Sequence, residues 1–458
     1  MNTLIVISIL PIILLYLGLY KVKNALLPVT IIGLIAALVL AVMQWNTVAT
    51  PIYSGMMLFD NTSIAFSSVA IVSTILILLL SKDYFDRISD HVAEYYSIIL
   101  FSLAGIIVML SYNNLTMLFI GIEIMSVSLY ILAGIKKSDF ASNEAALKYF
   151  LMGAFSTGFL LFGVTLIYGA SGSFDLGKIR DYVLTTPSID PMFYTGIALM
   201  IVGLCFKVGA APFHFWTPDV YEGAPTLITA FMSTVVKTAG FAAFLRLFAA
   251  CFVTLSSFWV PILLAIAFIT LFIGNITALY QQSFKRMLAY SSISHAGYLL
   301  FAIIAVGASS ANSILVYALA YSVASIIAFG ALILIQQQSG NDNFDSFNGL
   351  GKNNPFLALT LTVAMLSLAG IPLTAGFIGK FFMFRGALAQ YQVWLVVVAI
   401  INAIISIFYY FRVIIAMYFR EADGAEVVVP ASYKFVLAVC ALITVIVGVY
   451  PIFISNLI

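Results

Sequence analysis

An all-α polytopic membrane protein of about fourteen transmembrane helices is the fold the sequence predicts. Three observations carry that prediction. Of 458 residues, 63% are hydrophobic and 8% charged, whereas soluble domains run at roughly 45 to 50% and about 25%. A water-facing fold could not hide so much apolar surface. The apolar residues also gather in runs long enough to cross about 30 Å of hydrocarbon as helix, punctuated by Pro, Gly, Asn and charged clusters. Finally, these runs lack the alternation of polar lumen and apolar exterior that closed β-barrel strands need. The net charge of +2 offers no nucleic-acid footprint, so charges matter one by one. Cys205, Cys251 and Cys440 are far apart within or beside apolar runs, which leaves no disulfide framework and no CxxC metal pair.

Taken in order, the first run, from Leu4 to Tyr20, lacks a basic leader and a small-residue cleavage site and is expected to remain as the first helix. The spans then centre on Pro11, Ile35, Ile71, Gly105, Glu123, Gly158, Lys207, Lys237, Phe268, His295, Ser325, Pro372, Ile405 and Thr444. They group as three N-terminal helices in 1–95, a first five-helix repeat in 96–252, a second in 253–420 and a last helix in 421–458. Basic loops resist translocation and stay cytoplasmic. Odd-numbered loops hold Lys21, Lys23, Lys82, Arg87, Lys136, Lys137, Lys148, Lys285, Arg286, Lys352, Arg420 and Lys434, whereas even-numbered loops hold only Lys178 and Arg180. Both termini are therefore expected on the outer side. Six further cations, Lys207, Lys237, Arg246, Lys380, Arg385 and Arg412, fall inside or at the ends of apolar spans.

An ionisable group at the centre of a span costs roughly 2.5 to 3.5 kcal/mol on insertion scales and usually faces the bundle interior. Glu123 is the one acidic residue of that kind, in NLTMLFIGIEIMSVSLYILAG, too far along the helix from Asn114 for a short carboxylate to reach water. It reads as a protonatable group paired with a cation, or as a neutral Glu hydrogen-bonded for packing. Lys207, in LMIVGLCFKVGAAPF, and Lys237, in ITAFMSTVVKTAGFAAF, have apolar turns on both sides. A long Lys can snorkel from a shallow position, an escape easier for Lys207 than for Lys237. Burial favours the neutral amine and an adjacent carboxylate favours the ammonium, so a Lys whose acidic neighbour can approach or withdraw is a switchable proton holder.

Lys380 lies in SLAGIPLTAGFIGKFFMFRGAL, where Gly370, Pro372, Gly376 and Gly379 interrupt the helix. Lipid tolerates unpaired backbone only where the segment lines a protein-enclosed, hydrated cavity. KVGAAPFHFWTPD around Pro212 has the same character. Two such broken helices in corresponding parts of two halves mark an inverted-repeat transporter with its ion path at the breaks. Glu123 and Lys207 are 84 residues apart and His295 and Lys380 are 85 apart, which suggests a five-helix repeat; the prolines do not follow that offset. His295, in LAYSSISHAGYLLFA beside Ser291, Ser292 and Ser294, reads equally as a proton relay, since imidazole changes charge near neutral pH, and as an interhelical hydrogen-bond contact. His214 sits in the first break and is a candidate to tune Lys207; His91 lies in a charged loop with no special role. No Ser/His/Asp set, phosphate-cradling loop or metal-ligand cluster is legible, so chemistry on a bound substrate is not expected.

FIGIEIMSVSLYILAG, EAALKYFLMGAFSTGFLLFG, FKVGAAPFHFWTPDVYEGAP, KRMLAYSSISHAGYLL and GIPLTAGFIGKF, in that order, resemble the subunit N family of proton-pumping NADH:quinone oxidoreductase, respiratory complex I. The likeness covers roughly 96–420. PFHxWxPDxYxGAP is shared with sister subunits L and M and with Mrp-type sodium/proton antiporters, while GIEIMSVSLY followed by EAALKYF, with a Lys in the second broken helix, points to N. The resemblance implies that Glu123, Lys207, Lys237 and Lys380 fill the family's four proton-transfer positions. It also implies that flavin, iron–sulfur clusters, the NADH site and the quinone chamber lie in partner subunits, with no cofactor and no metal in this chain. Neighbouring antiporter-like and small membrane subunits would be the partners, and the bacterial plasma membrane the location. Two other readings stand beside it: a subunit of a multi-chain Mrp-type sodium/proton antiporter, driven by an ion gradient, and a membrane scaffold. Co-purifying chains would separate the first two, and the isolated Glu123 argues against the third.

Overall fold

The computed structural model describes residues 1–82, 84–88, 91–307, 310–390, 393–421 and 427–451. They form a helical bundle: α1 (Asn2–Leu19), α2 (Lys23–Val42), α3 (Asn61–Leu79), α4 (Val92–Leu110), α5 (Leu115–Ala133), α6 (Phe140–Ser171), α7 (Leu176–Thr185), α8 (Pro191–Val208), α9 (Trp216–Gly223), α10 (Thr226–Cys251), α11 (Ser256–Leu279), α12 (Phe284–Ile304), α13 (Ser310–Ser339), α14 (Pro355–Ala369), α15 (Ala375–Gln390), α16 (Val393–Phe419) and α17 (Ala431–Val449). Among the described residues, 13 helices are long and apolar enough to cross a membrane. The expected span around Pro372 is the fourteenth, made of α14 and α15 on either side of a break. The remaining centres fall on helices as expected, except that Lys207 stands in the last turn of α8 rather than at mid-helix.

Burial sorts the helices. Buried residues make up 28% of the apolar window in α1 and in α2, against 100% in α10 and 94% in both α12 and α13. The last three form the centre of the bundle, and they carry Lys237 and His295. The outer helices present leucine, isoleucine and phenylalanine outward, such as Ile32, Phe155 and Phe408, as lipid contact requires.

Close backbone approach fixes the helices that bear the polar residues. A Cβ on Gly105 of α4 would meet the Gly121 carbonyl oxygen of α5 at 2.8 Å, and one on Gly121 would meet that of Gly105 at 2.9 Å. Gly163 of α6 and Gly196 of α8 are reciprocal in the same way, at 2.8 and 3.0 Å. Small residues let membrane helices pack backbone to backbone, where dispersion rather than the hydrophobic effect holds them. The first contact sets α5 and hence Glu123; the second sets α8 and hence Lys207.

Two breaks interrupt the bundle, and both are built alike. After α8, Gly209 takes φ +71°, its N–H bonds to the Phe206 carbonyl at 3.1 Å, and the Ala210 N–H to that of Cys205 at 2.9 Å. After α14, Gly370 takes φ +84°, with Gly370 N–H to Ser367 O and Ile371 N–H to Leu366 O, each at 3.0 Å. This paired closure at a left-handed glycine is the Schellman end. It satisfies carbonyls that lipid could not. Pro212 and Pro372 follow as the residues that forbid the helix to resume at once. The two breaks thus correspond by their glycines, whereas Lys207 precedes its break and Lys380 follows its own, so the equal spacing of 84 and 85 residues does not superpose equivalent helix positions.

Several cations differ from their expected settings. Lys148 lies within α6, whose 32 residues reach about 48 Å at 1.5 Å per residue. Lys285, expected in a loop, is 5% exposed. Arg246 is satisfied at a helix end by Asp60, Nη2 to Oδ2 at 3.0 Å, and by the Leu110 carbonyl at 3.2 Å. Arg412 donates to the Gln281 carbonyl at 2.8 Å and to Gln282 Oε1 at 2.6 Å, and Arg385 is exposed on α15. Lys178 and Arg180 belong to α7, a short amphipathic helix that buries Leu176, Ile179 and Val183.

Candidate functional site

Besides Lys285 at the end of α9, three lysines are buried in the bundle: Lys207 is 8% exposed, Lys237 3% and Lys380 4%. None forms an ion pair with a carboxylate among the described residues. Their ammonium groups are held by hydroxyls, carbonyls and aromatic rings.

Lys207 donates from Nζ to Ser126 Oγ at 2.9 Å and to the Tyr130 hydroxyl at 3.5 Å, with the Tyr130 and Phe206 rings each 5.9 Å away. Ser126 and Tyr130 share with Glu123 one face of α5, at the i, i+3 and i+7 spacing that aligns helical side chains. The expected contact between Glu123 and Lys207 is not closed: Ser126, one turn along, takes the ammonium instead. Glu123 Oε1 is buried without a hydrogen-bond partner.

The break beyond Lys207 gathers polar groups left without partners. His214 is 6% exposed, its ring stacks on Phe215 at 4.6 Å, and its Nδ1 is unpartnered, as is the Thr217 hydroxyl. His214 makes no hydrogen bond to Lys207. Trp216 Nε1 donates to the Phe206 carbonyl at 2.9 Å, and the Ala211 N–H to Thr270 Oγ1 at 2.9 Å, so that side chains complete the hydrogen bonding of the broken strand of backbone. At its far end α9 is clamped by charge. Lys148 pairs with Asp219 at 2.6 Å and with Glu144 at 2.8 Å, and Arg286 with Asp219 at 3.3 Å and with Glu222. Lys285 donates to the Glu222 and Ala224 carbonyls at 2.8 and 2.6 Å.

Lys237 follows a π-helical turn at Met232–Val236, a widened turn often found at functional positions. Its Nζ donates to the Ser292 carbonyl at 2.5 Å and to the Ser292 hydroxyl. Three residues further along α12, His295 is held at both nitrogens, Nδ1 at 2.5 Å from the Tyr317 hydroxyl and Nε2 at 3.0 Å from that of Tyr410. Lys380 donates back to the Leu368 and Ala369 carbonyls at 3.2 and 2.8 Å and lies 4.9 Å over the Tyr298 ring. A cavity of about 10 Å³ joins His295, Tyr317, Tyr321, Ser367 and Lys380, room for about one water.

One physical device recurs. Lys207 sits in the last turn of α8, Lys285 binds the last carbonyls of α9, and Lys380 binds those of α14. A helix C-terminus carries a partial negative charge, so interrupting a membrane helix creates a place for a cation in mid-bundle. The sequence shows the breaks and the lysines but not this pairing. It also leaves unread the mid-span tyrosines at 130, 298, 317, 321 and 410; their signal is the occurrence of Tyr away from the membrane interface that usually holds it. Among the described residues no cluster of three or more His, Cys, Asp or Glu is placed to hold a metal ion.

Broken helices around unpaired, buried lysines define an antiporter-like membrane protein. Residues 112–406 match the family model of the NADH:quinone oxidoreductase/Mrp antiporter transmembrane domain. The chain is 42% identical to the NADH-quinone oxidoreductase subunit N of Flavobacterium psychrophilum, over 98% of both chains, and 41% identical to that of Cytophaga hutchinsonii, again over 98% of each. Its fold is similar to a chain of respiratory complex I from Thermus thermophilus solved with bound aureothin: TM-score 0.84, 31% identity, 99% of this chain and 98% of that one. A chain of the Mrp complex from Dietzia gives TM-score 0.88 at 19% identity, over 99% and 95%, a likeness of fold alone. The chain belongs to the subunit N family of NADH-quinone oxidoreductase. It is a membrane subunit of the proton-translocating complex, and the Mrp reading is the weaker one.

Proposed function

We propose that protons cross or pass along this subunit through Glu123, Lys207, Lys237, His295 and Lys380, with electron transfer to quinone in partner subunits as the drive. The observation that carries this is the burial of three lysines without a carboxylate partner. A buried charge left unpaired is costly, so each ammonium is poised to give up its proton when its surroundings change. Glu123, unpartnered at Oε1, is the group whose approach to Lys207 would return it to the charged form. His214 Nδ1 and the Thr217 hydroxyl, both without a hydrogen-bond partner in the first break, are sites where water could enter between Lys207 and the rest of the line.

On this reading NADH, flavin, iron–sulfur clusters and quinone are handled by other subunits, the neighbours are further antiporter-like and small membrane subunits, and both termini face outward from a bacterial plasma membrane. The two five-helix repeats, 96–252 and 253–420, would each supply one broken helix. The test is Lys237→Ala in the intact complex. Turnover with quinone and proton pumping into sealed vesicles should both fall, although Lys237 touches no redox centre, because linked sites share their free energies. Normal NADH oxidation with a normal gradient would make Lys237 a bystander.

A further inference from the structure

We propose that Tyr410, on α16, and Tyr317, on α13, are proton-relay residues that flank His295 and pass a proton between Ser291 and the Lys380 cavity by exchanging the tautomer of the imidazole. The inference rests on the proton-carrying reading of His295 and adds two hydroxyls to it.

Tyr410 is 0% and Tyr317 2% exposed. Phenol hydroxyls so deep need partners, and both find them on the same ring. Tyr410 also meets Ser291 Oγ at 2.7 Å. The result is a four-member line, Ser291, Tyr410, His295 and Tyr317, that ends in the cavity shared with Lys380. At the Ser291 end the next residue, Ser292, holds Lys237. The line therefore starts one residue along α12 from the serine that holds Lys237 and ends at the cavity of Lys380.

Neutral imidazole has one N–H and one bare nitrogen, and each hydroxyl is one donor and an acceptor. With the proton on Nδ1, that N–H donates to Tyr317 O, Tyr317 O–H points to the cavity, Tyr410 O–H donates to Nε2, and Ser291 O–H donates to Tyr410 O. A proton arriving at Ser291 displaces each hydrogen by one place. Ser291 passes its own to Tyr410, Tyr410 passes its own to Nε2, Nδ1 gives its hydrogen to Tyr317, and Tyr317 releases its own to the cavity, where a neutral Lys380 amine takes it up directly or through one water. One proton enters and one leaves. Every group ends with the number of hydrogens it began with, but the imidazole is now protonated at Nε2, so it must regain the Nδ1 tautomer and the hydroxyls must turn back before the next transfer.

The groups around the ring are Lys237 from α10, Tyr298 on its own helix, Tyr317 and Tyr321 from α13, Lys380 from α15 and Tyr410 from α16. A relay that never charges the ring avoids placing a further positive charge beside the Lys237 ammonium in a low dielectric. Tyr409, next in sequence, lies beside Tyr410 with ring centroids 4.5 Å apart, but its hydroxyl donates to Asn275 Oδ1 at 3.0 Å and reaches neither ring nitrogen.

The experiment compares Tyr410→Phe, Tyr317→Phe, Tyr409→Phe and His295→Gln in the assembled complex, in sealed vesicles, in H2O and in D2O. Tyr410→Phe and Tyr317→Phe keep the ring and its packing and lose only the hydroxyl. Each should slow proton-coupled quinone turnover at least about tenfold, less than the roughly hundredfold low end for a lost acid–base group, leave NADH oxidation by an artificial acceptor unchanged, and raise the solvent isotope effect. Tyr409→Phe should pump like the parent. If His295→Gln is slow while both Phe variants pump normally, the tyrosine relay is overturned and the His295 reading survives. If His295→Gln also pumps normally, both fall. Slowing by the same factor in both solvents would mark lost packing, and overturns the relay.

Discussion

Lys380 is at once a buried charge and the cap of a helix end, and one substitution to alanine removes both. Its Nζ holds the Leu368 and Ala369 carbonyls, so Lys380→Ala strands two carbonyls in the bundle, a defect worth roughly 1 to 3 kcal/mol each by the cost of an unsatisfied buried group. Lys380→Arg separates the roles, because guanidinium can cap carbonyls but does not release its proton. The expected outcome is a complex that assembles with Lys380→Arg, yet turns over at least about tenfold more slowly. Normal pumping by the Arg variant in sealed vesicles would reduce Lys380 to a fixed cap. Glu123 allows a cleaner test, since Oε1 has no partner to lose and Gln preserves the shape. Glu123→Gln should lower NADH-driven pumping about fivefold, a modest coupling energy, with normal assembly, and Glu123→Asp should be milder. Unchanged pumping in Glu123→Gln would remove the carboxylate from the path.

At the scale of the helix, the two breaks depend on one backbone conformation. Gly209 and Gly370 hold φ of +71° and +84°, where an L side chain costs roughly 1 to 2 kcal/mol. A Cβ at Gly209 would also press on Thr217 Oγ1 at 2.8 Å, and one at Gly370 on the Lys380 side chain at 2.8 Å. Gly209→Ala and Gly370→Ala should therefore lower the melting temperature of the purified complex and impair pumping together. Gly158→Ala is the control: inside α6, a Cβ there meets nothing within 4 Å, and alanine is the better helix former, so the melt should hold or rise slightly. Equal melting for all three would mean that the breaks tolerate other closures. The breaks were legible as Pro/Gly clusters. That both close by the same glycine-centred pattern was not, because the prolines and the polar spacing suggest different offsets and only the hydrogen bonds identify the equivalent residues.

For the molecule as a whole, the loop charges predict an orientation that labelling can check. Single cysteines at Ser138 and Asn343 should react with an impermeant reagent from the cytoplasmic side, and ones at Asn46 and Thr254 from outside. All four positions are exposed, whereas Ser310, near another outer loop, is 5% exposed and bonded to the Ala305 carbonyl, which makes it a poor probe. Cys205, Cys251 and Cys440 are buried and should stay silent. Labelling of Ser138 and Asn46 from the same side would break the alternation of spans.

Membrane insertion is decided by local composition, because each apolar run pays its own cost of crossing lipid. That is why the sequence by itself determined the helical class, the order of the spans, both breaks and the burial of Lys207, Lys237, His295 and Lys380, whereas Glu123 is only partly buried. Which groups meet was decided by tertiary packing. Ser126 rather than Glu123 receives Lys207; Lys285, expected in a loop, lies in the first turn of α12 and binds the end of α9; Tyr317 and Tyr410, 93 residues apart in sequence, reach one imidazole from two helices. A hydrogen bond is settled by a few tenths of an ångström, and spacing along a chain fixes such distances only within a single helix. Between helices they follow from how closely backbones approach, at contacts such as Gly105 on Gly121 and Gly163 on Gly196, and those contacts exist only once the bundle is assembled.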